Sequence, residues 1–443
     1  MKVLILAYDY PPYISVGSLR PKAWCEFFPE DGLKPIIVTR QWQNTFSTEQ
    51  EYVRKSVYPF VVKSIGENSE VYKTPYHPNR SNKLINSFGP NKFRYLRRVL
   101  TGIQEVGQYF LPIGTKREIF RFADEYLKTQ GADLIIATGD PFVLFHYANK
   151  LSKIHGIPWV ADYRDVWSQF NYKSKSVFNK FERIIERHTV KNASLITTVS
   201  SEMACLIQLN FRQIPLEVVM NGFFEHESQI QSDHTDEQKL KIVHAGSLYP
   251  WYPVEIVLSS LDRWMQNDQQ KIAALEVHFY GLNDKKRVQI ALDSCSASLK
   301  HKVFFHPRIE NNRMLEELKS YDLLLLFNNY SFLGTKLFDY FSVKRNVLFC
   351  FESDSDAETL KNKHYKLIES AQQNLAQVEL IRKHTAGYVV IDKTDLVQVL
   401  DTVYTEKMSS GKLRCNTKDI EMYSRRYQTR RFAQLLKEHF KRN

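Results

Sequence analysis

The chain has 443 residues, of which 61 are Lys or Arg and 49 are Asp or Glu, for a formal charge of +12. That length exceeds one ordinary core and predicts two domains of about 200 residues each, while no apolar run reaches the roughly 20 residues that span a bilayer. Five scattered cysteines (Cys25, Cys205, Cys295, Cys350 and Cys415) without a Cys-x-x-Cys pair exclude a disulfide framework and a zinc ribbon, and they point to a reduced, cytoplasmic compartment.

Apolar runs alternate with helical patterns along the whole chain. The first half predicts a strand over Lys2–Tyr8, a helix over Leu19–Phe28 and a strand over Lys34–Thr39. Further on come a strand at Asp133–Thr138, a helix at Pro141–His155, and strands at Ile157–Asp162, Ser194–Ser200 and Glu217–Met220. The polar stretch Glu225–Lys239 has the make-up of a linker. Beyond it the pattern restarts, with strands at Lys241–His244, Glu276–Tyr280, Lys302–His306, Asp322–Phe327, Val347–Phe351 and Tyr388–Ile391. Two such runs predict an α/β protein of two doubly wound, Rossmann-like domains, 1–225 and 226–415. A basic final helix occupies about Ser424–Phe440, within a terminal segment 416–443.

The most informative segment is Gly334-Thr-Lys-Leu-Phe-Asp-Tyr, between a buried strand and Asn346-Val-Leu. A helix beginning near Gly334 would turn the backbone N–H groups of Gly334, Thr335 and Lys336 toward a phosphate, assisted by the helix dipole. Asp339 shares a face with Thr335 and Lys336, and its carboxylate suits the vicinal hydroxyls of a ribose. Near the start, Tyr8-Asp-Tyr-Pro-Pro leads to Gly17, where backbone could approach a diphosphate, and to Arg20, which could supply charge. In Ile157-Pro-Trp-Val-Ala-Asp-Tyr-Arg-Asp-Val-Trp, a strand delivers Arg164, Asp165 and Trp167 to its carboxyl end, where open α/β sheets bind ligands.

These segments together resemble glycosyltransferase family 4 of the two-domain GT-B group, in which two Rossmann-like domains face a cleft. The resemblance implies transfer of a sugar from a nucleotide diphosphate sugar to an acceptor hydroxyl, in surface polysaccharide or lipid-linked glycan synthesis, by a hexosyltransferase that retains anomeric configuration. It carries over Arg164 and Asp165 as catalytic residues. The donor-binding set it implies is Gly17, Ser18, Arg20, Gly246, Ser247, Arg308, Ile309, Gly334, Thr335, Lys336, Leu337 and Asp339, and its last helix would cross back onto the first domain. No cofactor or structural metal is expected, the nucleotide sugar being substrate.

Two departures stand out. Relatives often follow the Gly246-Ser247 turn with Arg and Lys, whereas this chain continues Pro250-Trp-Tyr-Pro, which leaves Lys336, Arg308 or Arg20 to neutralise the diphosphate. The first of the family's paired acids falls on Ser331, so retention and inversion both stay open. A nucleotide-sugar epimerase, another GT-B enzyme, and a non-catalytic basic glycan-binding protein remain as rivals.

Asp354-Ser-Asp356 has the Asp-x-Asp form of some metal sites but sits in a polar turn context. The thirteen histidines show no metal spacing, and no nucleic-acid recognition motif appears. Lys92–Leu111 joins a basic cluster to helically spaced apolar residues, which suits either a core helix or an anionic membrane surface.

Overall fold

The structure, a computed structural model, describes residues 1–13, 15–43, 48–66, 68–111, 113–169, 177–225, 236–329, 333–364 and 376–440, without the side chains of 177–180. Ser331 and residues 226–235 of the predicted linker lie outside the described residues. The chain forms two compact units. One comprises Met1–Phe170, Lys175–Asn221 and Arg425–Asn443, and the other is built from Gly222–Ser424.

The first unit carries an eight-stranded sheet of order β3-β4-β2-β1-β5-β6-β7-β8. Its strands are β1 (Lys2–Leu6), β2 (Lys34–Arg40), β3 (Val62–Ile65), β4 (Glu70–Thr74), β5 (Leu134–Gly139), β6 (Trp159–Tyr163), β7 (Leu195–Thr198) and β8 (Leu216–Val218). All pairs are parallel except β3 with β4. β1, β5 and β6 are apolar on both faces because helices cover both, which is why they read as continuous hydrophobic runs. The β3–β4 hairpin escapes such a reading: Lys63, Ser64 and Ile65 are exposed, and β3 exists through its pairing with β4 alone.

The second unit holds a six-stranded, all-parallel sheet of order β11-β10-β9-β12-β13-β14. These strands are β9 (Leu240–Ala245), β10 (Leu275–Tyr280), β11 (Val303–His306), β12 (Leu323–Phe327), β13 (Asn346–Cys350) and β14 (Gly387–Val390). Numbered within the unit the order is 3-2-1-4-5-6, the doubly wound arrangement whose direction reverses between β9 and β12. In the first unit the same reversal lies between β1 and β5.

Two buried ion pairs tie helices to these sheets. Arg20, on helix Val16–Phe27, forms a double contact with Asp162 of β6, its Nη2 lying 2.7 Å from Oδ1. Asp162 also accepts from Thr138 of β5 and Thr197 of β7, so one carboxylate bridges three neighbouring strands. In the second unit Lys407 meets Asp322 at 2.8 Å with both side chains buried, which clamps helix Lys393–Ser410 to the start of β12. Removing one partner of either pair would strand an uncompensated charge, at a cost of about 3–5 kcal/mol. The final helix, Arg425–Phe440, packs in the first unit, where Phe432 joins the buried rings of Trp24 and Phe28.

Candidate functional site

Each sheet reversal gathers polar groups at the carboxyl ends of its strands, and the two gatherings differ in kind. In the second unit β9 ends in His244-Ala245, followed by Gly246 and Ser247, while β12 is followed by a loop and the short helix Lys336–Ser342. Lys336 reaches back across the reversal. Its Nζ donates to the Ser247 carbonyl at 3.3 Å and to His244 Nε2 at 3.4 Å. Gly246 has φ +100°, which demands glycine, and a Cβ there would stand 3.0 Å from Lys336 Cε and displace the end of that side chain.

His244 is buried, and its Nδ1 lies 3.2 Å from the Leu325 carbonyl. Burial, reinforced by the Lys336 charge, pushes its pKa well below the usual histidine value. The ring is therefore neutral, with Nδ1–H donating to Leu325 and Nε2 accepting from Lys336. Burial also brings the Lys336 pKa down to about 8, with Asp339 opposing the shift. Two of the three ammonium donors thus rest on neutral acceptors. A desolvated cation held this way is prepared for an anion.

The surroundings are set by the aromatic segment Pro250-Trp-Tyr-Pro. Tyr252 packs on Phe327 with ring centres 5.0 Å apart, and its hydroxyl donates to Asn329 Oδ1 at 2.9 Å. Asn329 Nδ2 would lie 2.9 Å from a Cβ on Gly334, so this glycine lets the loop close over Asn329. Thr335 is the N-cap, without a side-chain capping bond, and Asp339 sits half-buried in the first turn. Leu337 is buried in the core, so its side chain packs the helix and only its backbone N–H can serve a ligand. Arg308 is exposed after β11, two strands from β9, and its Cα and Cβ would crowd a Cβ at Gly281. Ile309 beside it is half-buried.

In the first unit, Asp9 follows β1, Asp140 follows β5 and Arg164 follows β6. Arg164 Nε donates to the Gly139 carbonyl at 2.9 Å and Nη2 to the Asp140 carbonyl. The guanidinium lies in the space a side chain at residue 17 would need, and Asp9 Oδ2 would be 3.1 Å from that Cβ. Ser15 Oγ donates to Asp9 Oδ2 at 2.8 Å. Burial raises the pKa of Asp9 and of Asp140, with the nearby Arg164 charge opposing it in both. Two carboxyls thus flank one arginine at the reversal. Asp165 is exposed beside Arg164, and Trp167 stacks on Phe142 at 4.9 Å.

Three expected donor contacts take other roles. Arg20 is buried, with its guanidinium spent on Asp162 and the carbonyls of Val219 and Met220, so it is a structural cation and not a phosphate ligand. Ser18 is buried in a capping box, its Oγ donating to the Ser15 carbonyl and accepting from Ser15 N–H. Gly17 makes room for Arg164. Asp354 caps helix Ser355–His364 through the N–H groups of Asp356 and Ala357, and Asp356 pairs with Lys393 at 2.5 Å, so the expected turn is instead a helix start whose two carboxylates are taken by the helix and by Lys393. Among the described residues no group of three His, Cys, Asp or Glu is placed to hold a metal ion.

Sequence reasoning missed Asp9, Asp140 and His244 as site residues. Asp9 and Asp140 each stand just past a predicted strand, which is a usable signal. A further feature without local signal is Arg40, sandwiched between Tyr76 and Trp42 at 3.5 and 4.1 Å, with Tyr13 stacked on the far face of Trp42 at 4.1 Å. Arg40 Nη1 also donates to Tyr8 at 2.9 Å, so the stack holds the Tyr8–Tyr13 loop that carries Asp9.

No protein-family model matches the chain, and no curated protein matches it in sequence. Solved structures do. Sucrose-phosphate synthase from Thermosynechococcus elongatus aligns over 100% of both chains with a TM-score of 0.64 at 11% identity. Anabaena HepE in complex with UDP-glucose aligns over 99% of this chain and 100% of its own, at 0.57 and 14%. WaaG, a glycosyltransferase involved in lipopolysaccharide biosynthesis, aligns over 98% and 99%, at 0.55 and 13%. The chain has the GT-B glycosyltransferase fold.

Proposed function

We propose that the protein is a glycosyltransferase that moves a sugar from a nucleotide diphosphate sugar to an acceptor hydroxyl of a surface polysaccharide or lipid-linked glycan. The observation that carries this reading is Lys336, drawn across the sheet reversal of the second unit onto His244 and Ser247. A diphosphate placed there gains a charge-assisted bond from Lys336 and the first-turn N–H groups of helix Lys336–Ser342. Asp339, on the same face, suits the ribose. The fold shared with an enzyme bound to UDP-2-fluoro glucose and with HepE bound to UDP-glucose supports a uridine nucleotide as the first donor to try.

Catalysis on this reading is positioning plus electrostatic stabilisation of the departing diphosphate, with chain cations and backbone dipoles in place of a metal. Arg164 and Asp165, with Asp9 and Asp140, serve the acceptor side in the first unit, which offers carboxyls to a hydroxyl. The family resemblance favours a hexosyl unit transferred with retention. The raised pKa of half-buried Asp9 favours a second reading, in which Asp9 takes the acceptor proton and the product is inverted. The anomeric configuration of the product, read by NMR, decides between them.

Calorimetric titration with UDP, GDP, ADP and their sugars tests the proposal. One nucleotide should bind, and Lys336→Met should abolish or weaken it; no binding by any of them overturns the reading. Turnover should survive EDTA, and loss of activity restored by Mg²⁺ or Mn²⁺ would refute metal independence. We place the enzyme in the cytoplasm, at the inner face of a membrane that carries its acceptor. Among the described residues no helix is long and apolar enough to cross a membrane.

A further inference from the structure

Helix Arg94–Gly107 fully buries none of its residues, with Arg97, Leu100, Gln104 and Val106 half-buried, and polar groups anchor its first half. Thr101 Oγ1 donates to Ser81 Oγ at 3.0 Å, and Ser81 Oγ donates to the Arg97 carbonyl at 3.3 Å, so the side bearing residues 97 and 101 faces helix Arg80–Phe88. Arg97 is committed there as well: it pairs with Glu49 at 2.7 Å and donates to the Pro90 carbonyl. At about 100° per residue, Tyr95, Leu96, Val99 and Ile103, continued by Phe110 past the helix end, fall in one stripe diametrically opposite that seat. They are 85, 50, 57, 64 and 67% exposed.

A surface helix of a globular domain turns its apolar stripe to the core. Here Tyr95, Leu96, Val99 and Ile103 form an apolar band that faces outward instead, with Phe110, which packs on Phe181, and half-buried Val106 at its far end. Such a band signals an interaction surface. Lys92, Arg94 and Arg98 are exposed at the N-terminal end of the same helix, with Arg98 on the flank of the band.

We propose that this face docks on an anionic lipid bilayer, the stripe entering the boundary between headgroups and acyl chains while Lys92, Arg94 and Arg98 meet lipid phosphates. Charge selects this occupant. A second copy bound through the same patch would set these cations against their equals across a two-fold axis. The inference stands on the first unit alone and does not depend on which nucleotide the second unit binds.

Sedimentation of the full chain with phosphatidylcholine vesicles, with and without phosphatidylglycerol, tests it. The parent should pellet with the anionic vesicles and remain in solution with the neutral ones. Each cation should contribute about fivefold at low salt, so replacing Lys92, Arg94 and Arg98 together by Gln should weaken binding on the order of 100-fold. Ile103→Glu should abolish it. Both variants alter exposed groups and should keep the parent's melting temperature and nucleotide affinity. A parent that ignores anionic vesicles overturns the proposal, as do variants that pellet as the parent does. So does an Ile103→Glu change that converts a dimer to a monomer in sedimentation equilibrium without any vesicle binding, since the stripe would then join two copies.

Discussion

The two units repeat one topology, yet their sheet reversals are furnished with opposite chemistry. In the second unit a lysine rests on a neutral histidine and a carbonyl. In the first, two carboxyls with raised pKa, Asp9 half-buried and Asp140 at the surface, flank one arginine beside a glycine. The fold supplies the same place twice, at the carboxyl ends of the strands where direction changes. The side chains then decide what each place can hold. A dry lysine with helix N–H groups suits a dianion, whereas protonatable carboxyls suit a hydroxyl-bearing, uncharged partner. On the proposed reading, that difference assigns the donor to the second unit and the acceptor to the first.

Mutations that touch one reversal should leave the other intact, and the largest separation is expected at Gly17. Gly17→Ala places a methyl group where the Arg164 guanidinium lies, and the displaced arginine should lower the transfer rate by about 100-fold or more. Nucleotide affinity, measured by calorimetry on the same sample, should not change. An equal fall in both would dissolve the contrast between the units.

Next in size is Lys336→Met. It removes a charged donor from the second reversal, and nucleotide binding should weaken by about 2 kcal/mol. Because Lys336 also fixes His244 Nε2, calorimetry should be accompanied by a melting curve, which should move little. Asp339→Asn keeps shape and removes charge, and should cost about 1.5 kcal/mol of nucleotide affinity. A nucleoside monophosphate lacking both ribose hydroxyls should bind parent and variant alike.

The smallest effect is a pH dependence whose sign follows from Lys336. Its pKa in the free protein, about 8, lies below the ordinary lysine value because burial disfavours the ammonium form. A bound diphosphate favours that form and raises the pKa. Affinity should therefore be flat below pH 8 and fall above it, by at most about tenfold per pH unit. Calorimetry at pH 9 in buffers of different ionisation enthalpy should show proton uptake on binding. Affinity that stays level from pH 7 to 10 would remove Lys336 from the diphosphate.

Legibility in the sequence tracks burial and locality. Every predicted strand is present; the central ones are legible because parallel strands covered on both faces must be apolar runs, a property each segment carries by itself, and the edge strands β8, β11 and β14 are shorter and only partly buried. The β3–β4 hairpin is invisible because its first strand is exposed and held by its partner. The Lys336–Ser342 helix was placed within two residues of its observed start, since the change of hydrophobic period marks it. The role of Arg20 was not legible, because its partner Asp162 is 142 residues away.

The sequence by itself determined the alternation of strand and helix, hence two doubly wound units, and the segments that come to the strand ends. Local periodicity and turn chemistry are sufficient for that, since each depends on neighbours in the chain. Only the tertiary structure decided which polar groups are consumed in holding the fold and which remain for a ligand. Ser18 and Arg20 are spent inside, while Asp9 and Asp140 are drawn to Arg164, and His244 is made neutral beneath Lys336. The physical reason is that charge state and availability depend on desolvation and on partners brought together across tens to hundreds of residues, quantities that no stretch of chain carries alone.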